Sequence, residues 1–350
     1  MLHRWNIRLA ALLLVAAAPL AAQEQVSLTG DDIGIWNLAG TVRVERAAGS
    51  AVTVAVTRQG RDAARLELAH GRIGGRETLR VIYPEDRIVY PHGTNGRWRT
   101  EVDIREDGTF GDGRSRGSDR RRVQLVGSGD GMEASADLVI GVPRGQKVAI
   151  YLVWGGITAS NVDGTVRLDT WGAPVRASAM AGDLDIDTGS GDVDVTGMNG
   201  ALAVDVGSGD VTLHDVRGPG LEIDTGSGDV EGSGITADRL AVDAGSGNVD
   251  LAQVTTGDLK VDTGSGDVRV AYSADPGDAD IDTGSGAVTL TLPDGSGATV
   301  DLETSSGDIE SAFSISTRRV ERDALHGSFG DGRGQITVST GSGDIGLVKG

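Results

Sequence analysis

Paired aspartates recur through the second half of this chain at a spacing regular enough to suggest ion chemistry. A phrase close to D-T-G-S-G-D-V begins at Asp187, Asp205, Asp224, Asp243, Asp262 and Asp282, and variants from Glu303 and Ser339 close the series at Asp308 and Asp344. Stacked copies would set like carboxylates about 4.8 Å apart, where they repel by about 0.9 kcal/mol per pair even at the dielectric of water. Something must offset that repulsion. Divalent cation binding is one answer, since carboxylate and carbonyl oxygens suit a hard ion such as Ca²⁺. The known calcium solenoid motif, however, repeats at half this period and opens on a Gly-Gly pair that the phrase lacks. The plainer expectation is that each Asp accepts backbone N–H bonds from its own glycine turn, with salt screening the rest.

Other candidate groups are sparser. Arg97, Arg99, Arg105, Arg114, Arg116, Arg120, Arg121 and Arg122 would make a polyanion patch, but Glu101, Asp103, Glu106, Asp107, Asp112 and Asp119 interleave with them. The segment therefore reads as a solvated hairpin and loop, dispensable for folding from Asp107 to Asp119. Trp154 and Trp171 fall at matching positions of consecutive repeats; packing is a plainer role for them than a ladder for a sugar ring. Beyond the leader, His70, His92, His214 and His326 are scattered without paired spacing, and there is no cysteine, no H-E-x-x-H and no G-x-S-x-G. No catalytic, cofactor-binding or metal-ligating residue is assigned, no cofactor is expected, and the chain is read as not an enzyme. Two alternatives stay open: a polysaccharide-active lyase or glycosidase on a β-helix, and a calcium-dependent binding module.

The elements that position these residues follow from periodicity. Leu221 and Ile223 alternate with Glu222 and Asp224, Gly-Ser-Gly intervenes, and Asp229 and Val230 follow. Period-two alternation means half-buried strand. A third apolar residue recurs at a constant offset in most repeats: Val162, Met180, Met198, Val216, Ile235, Val254. Three inward faces in about 18–21 residues describe one rung of a parallel β-solenoid, an all-β β-helix. About ten such rungs would build a rod of roughly 48 Å. An antiparallel meander of hairpins with Gly-Ser-Gly at each tip is the competing architecture. The glycines are expected to supply positive φ at the corner, and the stacked Thr188, Thr225, Thr263 and Thr283 to hydrogen-bond one another.

Residues 1–22 read as a secretory signal peptide: Arg4 and Arg8 precede the apolar run Leu9 to Ala18, and Leu20-Ala21-Ala22 forms the cleavage site. That run is too short to span a bilayer, so export to the periplasm, the cell surface or the exterior is expected, with no transmembrane segment in the mature chain. An N-terminal β segment follows at 23–135, carrying the Arg/Gly-rich insert at about 97–122. The solenoid occupies 136–350, with an excursion at about 313–333. Formal charge is −19 overall, yet residues 181–310 hold 27 acids against four bases while residues 23–150 are balanced. An acidic array repels nucleic acid and attracts cations or basic partners.

These residues resemble a known family. Ile35-Trp-Asn-Leu-Ala-Gly-Thr-Val-Arg-Val44, Leu138-Val-Ile-Gly-Val-Pro-Arg-Gly145, the G-S-G-D-V phrases and the closing Ile336-Thr-Val-Ser-Thr-Gly-Ser-Gly-Asp-Ile345 are similar to the bacterial "putative adhesins" of β-strand repeats, long catalogued as a domain of unknown function. The resemblance implies a β-helical, secreted or envelope-associated protein with no established enzymatic activity. The function expected here is an adhesin or surface scaffold that presents its long regular β surface to a macromolecular envelope partner, whose identity the residues leave open. The Arg-rich insert and the long gap between Asp308 and Asp344 depart from the simplest members.

Overall fold

Apolar side chains at every second position force each repeat to wrap around its own interior, and the wrapping is parallel. The computed structural model describes residues 23–91, 98–111, 120–320 and 323–350, without the side chains of 318–320. The leader and the middle of the Arg-rich insert lie outside the described residues. Leu184–Thr188 pairs in parallel with Leu202–Val206, and the ladder continues through Arg217–Thr225, Thr236–Ala244, Val249–Thr263 and Asp278–Thr283. This is the front sheet. Val193–Thr196, Val211–His214, Val230–Ser233, the start of Val249–Thr263, Val268–Tyr272 and Val288–Leu292 form the back sheet in the same way. The molecule is a parallel β-solenoid; the hairpin meander is excluded.

Register locks the core. Leu184, Leu202, Leu221, Leu240 and Leu259 stack one above another, and a slip of one residue would turn that file out to solvent. Val162, Met180, Met198, Val216, Ile235 and Val254 close the third side, all buried.

The two kinds of corner solve different problems. In the G-S-G corner the second glycine of each phrase does not have positive φ. A Cβ on Gly228 would instead lie 1.9 Å from the carbonyl oxygen of Gly209 one rung earlier, and one on Gly247 would lie 1.8 Å from that of Gly228. Close approach of stacked backbones, and not left-handed φ, excludes a side chain there. The left-handed residue sits at the other corner, after the back strand. Asn161, Ala179, Asp215 and Gln253 occupy it with φ of 51–58°, alternating with Gly197 and Gly234. The buried threonines also differ from expectation: Thr263 and Thr283 donate to the carbonyls of Gly247 and Gly266 one rung before, both at 3.2 Å. Those corner carbonyls are the groups that would otherwise go unpaired.

At the N-terminal end, Asp32–Arg46 and Gln146–Ser160 run from front to back as single strands, bent at Gly40 and Gly155. Glu24–Leu28, Val52–Gln59 and Ser135–Val142 finish that end with antiparallel pairs. A second sheet of Arg87–Val89, Arg99–Arg105, Arg120–Val126 and Met132–Glu133 lies against it. Its hairpin loop is fastened: Thr109 and Phe110 are buried, and Trp36 Nε1 donates to the Phe110 carbonyl at 2.8 Å. Thr109 and Phe110 are thus packed into the structure, while residues 112–119 of the stretch expected to be dispensable lie outside the described residues.

At the C-terminal end the rungs leave chain order. Gly334–Thr340 inserts between Asp278–Thr283 and Ala298–Thr304, and Ile345–Lys349 inserts between Val288–Leu292 and Ile309–Ser311. The strands Ser316–Val320 and Ala324–Phe329 extend the front sheet as an antiparallel hairpin. The stretch expected to leave the rod therefore covers the edge that parallel stacking would leave open.

Candidate functional site

The outward residues of the front sheet form the most regular chemical surface of the molecule. Along one column Asp169, Asp187, Asp205, Asp224, Asp243, Asp262 and Asp282 stand in register, followed by Ser339. They are the first aspartates of the phrases. Asp205, Asp224, Asp243, Asp262 and Asp282 are exposed, and none has a hydrogen-bond or ion-pair partner among the described residues. Desolvation, with the charges of Asp205, Asp243 and Glu222 adding to it, pushes the Asp224 carboxyl above the ordinary carboxylate range.

The second aspartates behave otherwise. Asp210 N–H donates to Asp192 Oδ1 at 3.2 Å, Asp229 N–H to Asp210 Oδ1 at 3.0 Å, and Asn248 N–H to Asp229 Oδ1 at 2.8 Å. Asp267, Ala287 and Asp308 continue the pattern onto Asn248, Asp267 and Asp344. The carboxylates of Asp192, Asp210, Asp229, Asp267 and Asp344 are thus bonded to backbone, but to the next rung and not to their own turn. Asn248 fits because its amide oxygen accepts as a carboxylate does. Ala287, with no acceptor to offer, interrupts the file, and the N–H of Asp308 resumes it on Asp344.

The bare file changes character at its N-terminal end. Tyr151 and Trp36 occupy the same column beyond Asp169 and stack at 4.6 Å with planes 5° apart. Arg167 reaches Asp185 at 2.5 Å, Asp187 at 2.9 Å and Asp169 at 3.4 Å. Asp169 is only 8% exposed, and burial first, then the neighbouring Asp187 charge, raises its carboxyl to about 7 against the opposing pull of Arg167. Gly111 lies over it: a Cβ there would be 3.3 Å from Asp169 Oδ1. Nearby, Arg76 donates to Tyr151 Oη at 3.1 Å and pairs with Asp32 at 2.9 Å.

Beside this cluster the outward side chains shrink to Ala149, Ala201, Ala203, Gly220 and Ala241, leaving a groove of about 630 Å³ between Arg76, Lys147 and Arg167 on one side and Glu222 and Arg239 on the other. Sequence reading missed this assembly. Its one signal was Arg167, a cation at an outward position that the following rungs fill with Asp185, Ala203 and Glu222.

Trp154 and Trp171 are not brought together. Trp154 stacks on Trp98 from the insert at 4.0 Å, and Trp171 stands 41% exposed. The second-sheet hairpin, not the adjacent rung, supplies the ring that covers Trp154. Of the interleaved charges, Arg122 pairs with Asp103 at 3.2 Å and Arg121 with Asp86 at 2.7 Å; Arg97, Arg114 and Arg116 lie outside the described residues.

A family model, Toastrack DUF4097, matches residues 121–348. The crystal structure of a "putative cell adhesion protein" from Clostridium sporogenes aligns over 94% of this chain and 99% of its own, at 11% identity and a TM-score of 0.18, a score at which the overlap carries no argument. No curated protein matches the chain.

Proposed function

We propose, from the premise that this chain belongs to the Toastrack DUF4097 family, that it is a non-enzymatic, exported scaffold of adhesin type. Its front face is offered to a macromolecular partner of the cell envelope. The observation that carries this reading is the file Asp205, Asp224, Asp243, Asp262 and Asp282, which stands in register and which no described donor engages. A rigid row of unpaired like charge attracts cationic partners and repels nucleic acid. Export rests on the leader-like residues 1–22, and its destination is the periplasm, the cell surface or the exterior.

The rival is a polysaccharide-active enzyme, and Asp169 is the observation that favours it, since a carboxyl raised to about 7 can act as a general acid. Against it, Asp169 is covered by Gly111 and held with Asp185 and Asp187 by one arginine. That arrangement supports a structural knot over a pair of carboxylates poised across a substrate.

The test is binding of the purified chain to fractionated envelope material, compared with a D205N/D224N/D243N/D262N variant. Salt-sensitive binding, lost in the variant, is expected. Equal binding by the variant would remove the front file from the reading. Release of soluble sugar by the native chain but not by D169N would replace the scaffold with the enzyme.

A further inference from the structure

The hairpin that closes the C-terminal end places a histidine directly across from two carboxylates. Asp301 and Glu303 alternate on the outward side of Ala298–Thr304, and the antiparallel register sets His326 opposite Asp301. The inward neighbours Val300 and Leu302 are fully buried, so the strand carrying both carboxylates is fixed by the core. His326 Nδ1 lies 2.6 Å from Asp301 Oδ1, and its Nε2 lies 3.9 Å from Glu303 Oε1. The three side chains are half-buried to exposed, at 26%, 47% and 63% for His326, Asp301 and Glu303. One donor atom from each falls within 4.8 Å of the others.

We propose that Asp301, Glu303 and His326 form a binding site for a zinc-class divalent cation. One imidazole nitrogen and two carboxylate oxygens make a borderline donor set, which suits Zn²⁺ better than the all-oxygen shells of Ca²⁺ and Mg²⁺. Tetrahedral zinc separates its ligand atoms by about 3.3 Å, given bonds of about 2.0 Å. Small rotations of these accessible side chains reach that span from the distances seen. Three protein ligands leave a fourth position for water or for a donor from a partner. Two ligands stand on a rung strand and one on the closing hairpin, so the ion would fasten the hairpin to the rod. This site is independent of the aspartate file and of the scaffold reading.

The experiment is a calorimetric titration of the metal-stripped protein with Zn²⁺, with Co²⁺ absorption as a second readout. A single saturable equivalent and tetrahedral Co²⁺ bands are expected. Even outer-shell changes commonly cost 10–100-fold in metal affinity, so H326Q should weaken Zn²⁺ by about tenfold or more. E303Q, at the most exposed of the three positions, should weaken it while leaving the metal-free melting temperature unchanged. H214Q serves as the control, because His214 instead contacts Ser233 at 2.7 Å. Absence of a saturable equivalent, or native affinity in both H326Q and E303Q, would overturn the site.

Discussion

Each phrase writes aspartate at its start and again at its end, and the fold uses the two copies in opposite ways. The second copy stands where the chain leaves the glycine corner, and its carboxylate takes the N–H of the next rung's residue, as Asp210 takes that of Asp229. The first copy stands one residue before the end of its front-sheet strand, as Asp224 does in Arg217–Thr225, where the backbone is still committed to the parallel ladder. No N–H is left over for it. A carboxylate on a parallel sheet is therefore bare by position, and the same residue one corner later is a strut. Like-charge repulsion along the strut file is offset by charge-assisted hydrogen bonds; along the bare file it is not offset within the chain.

The comparison can be broken most violently by moving a carboxylate across the wall. Val230 follows Asp229 and is fully buried, so Val230→Asp places an unpaired charge in the core and should cost several kcal/mol. Chemical denaturation measures this, and a native midpoint would show that the second-file wall is not where the structure puts it.

Next in size is the corner between the two files. Gly228→Ala sets a Cβ 1.9 Å from a backbone oxygen, whereas Gly220→Ala on the open front face meets nothing within 4 Å. Overpacking should cost the first about 1–3 kcal/mol, and the second close to nothing. Equal midpoints for the two would mean the rungs are not in close contact at the G-S-G corner.

A pH experiment sharpens the boundary between the bare file and the Arg167 knot. The Asp169 carboxyl is raised from 3.8 to about 7 in the fold. The folded state thus keeps its proton over a range where the unfolded chain has lost it. The stability this proton confers is full below pH 3.8 and is lost as pH rises to about 7. Asp169→Asn should flatten the stability profile in that window relative to the native chain, by a difference on the order of 1–4 kcal/mol. Parallel profiles across the window would show that Asp169 titrates as an ordinary carboxylate.

The solenoid was legible because its cause is local: alternation, a constant third apolar offset and a fixed period all lie in neighbouring residues. Register followed from the same pattern, since the leucine file can face only one way. The glycine corner was legible in place but not in cause. A sequence shows that Gly228 lacks a side chain, but not that the obstacle is Gly209 from the previous rung. The return of Gly334–Thr340 into a slot between earlier strands was invisible for a similar reason. Pairing order depends on which edge the hairpin Ser316–Phe329 covers, and no periodicity encodes that. With the pairing hidden, so was the meeting of His326 with Asp301. Arg167 was readable as a residue and unreadable as a knot, because its three partners come from its own strand and the next.

The smallest effects test the central difference most directly. Two triple variants, D210A/D229A/D267A in the strut file and D224N/D243N/D262N in the bare file, would be melted at low and high salt. Loss of an exposed backbone acceptor should cost about 1 kcal/mol or less per site, so the first variant should melt below the native chain at both salts. Removal of unscreened repulsion should raise the second by a few tenths of a kcal/mol per site at low salt, and the gain should fade at high salt. Shifts of opposite sign are the expected result. Shifts of the same sign at low salt would contradict the division of the two aspartate files into strut and free surface.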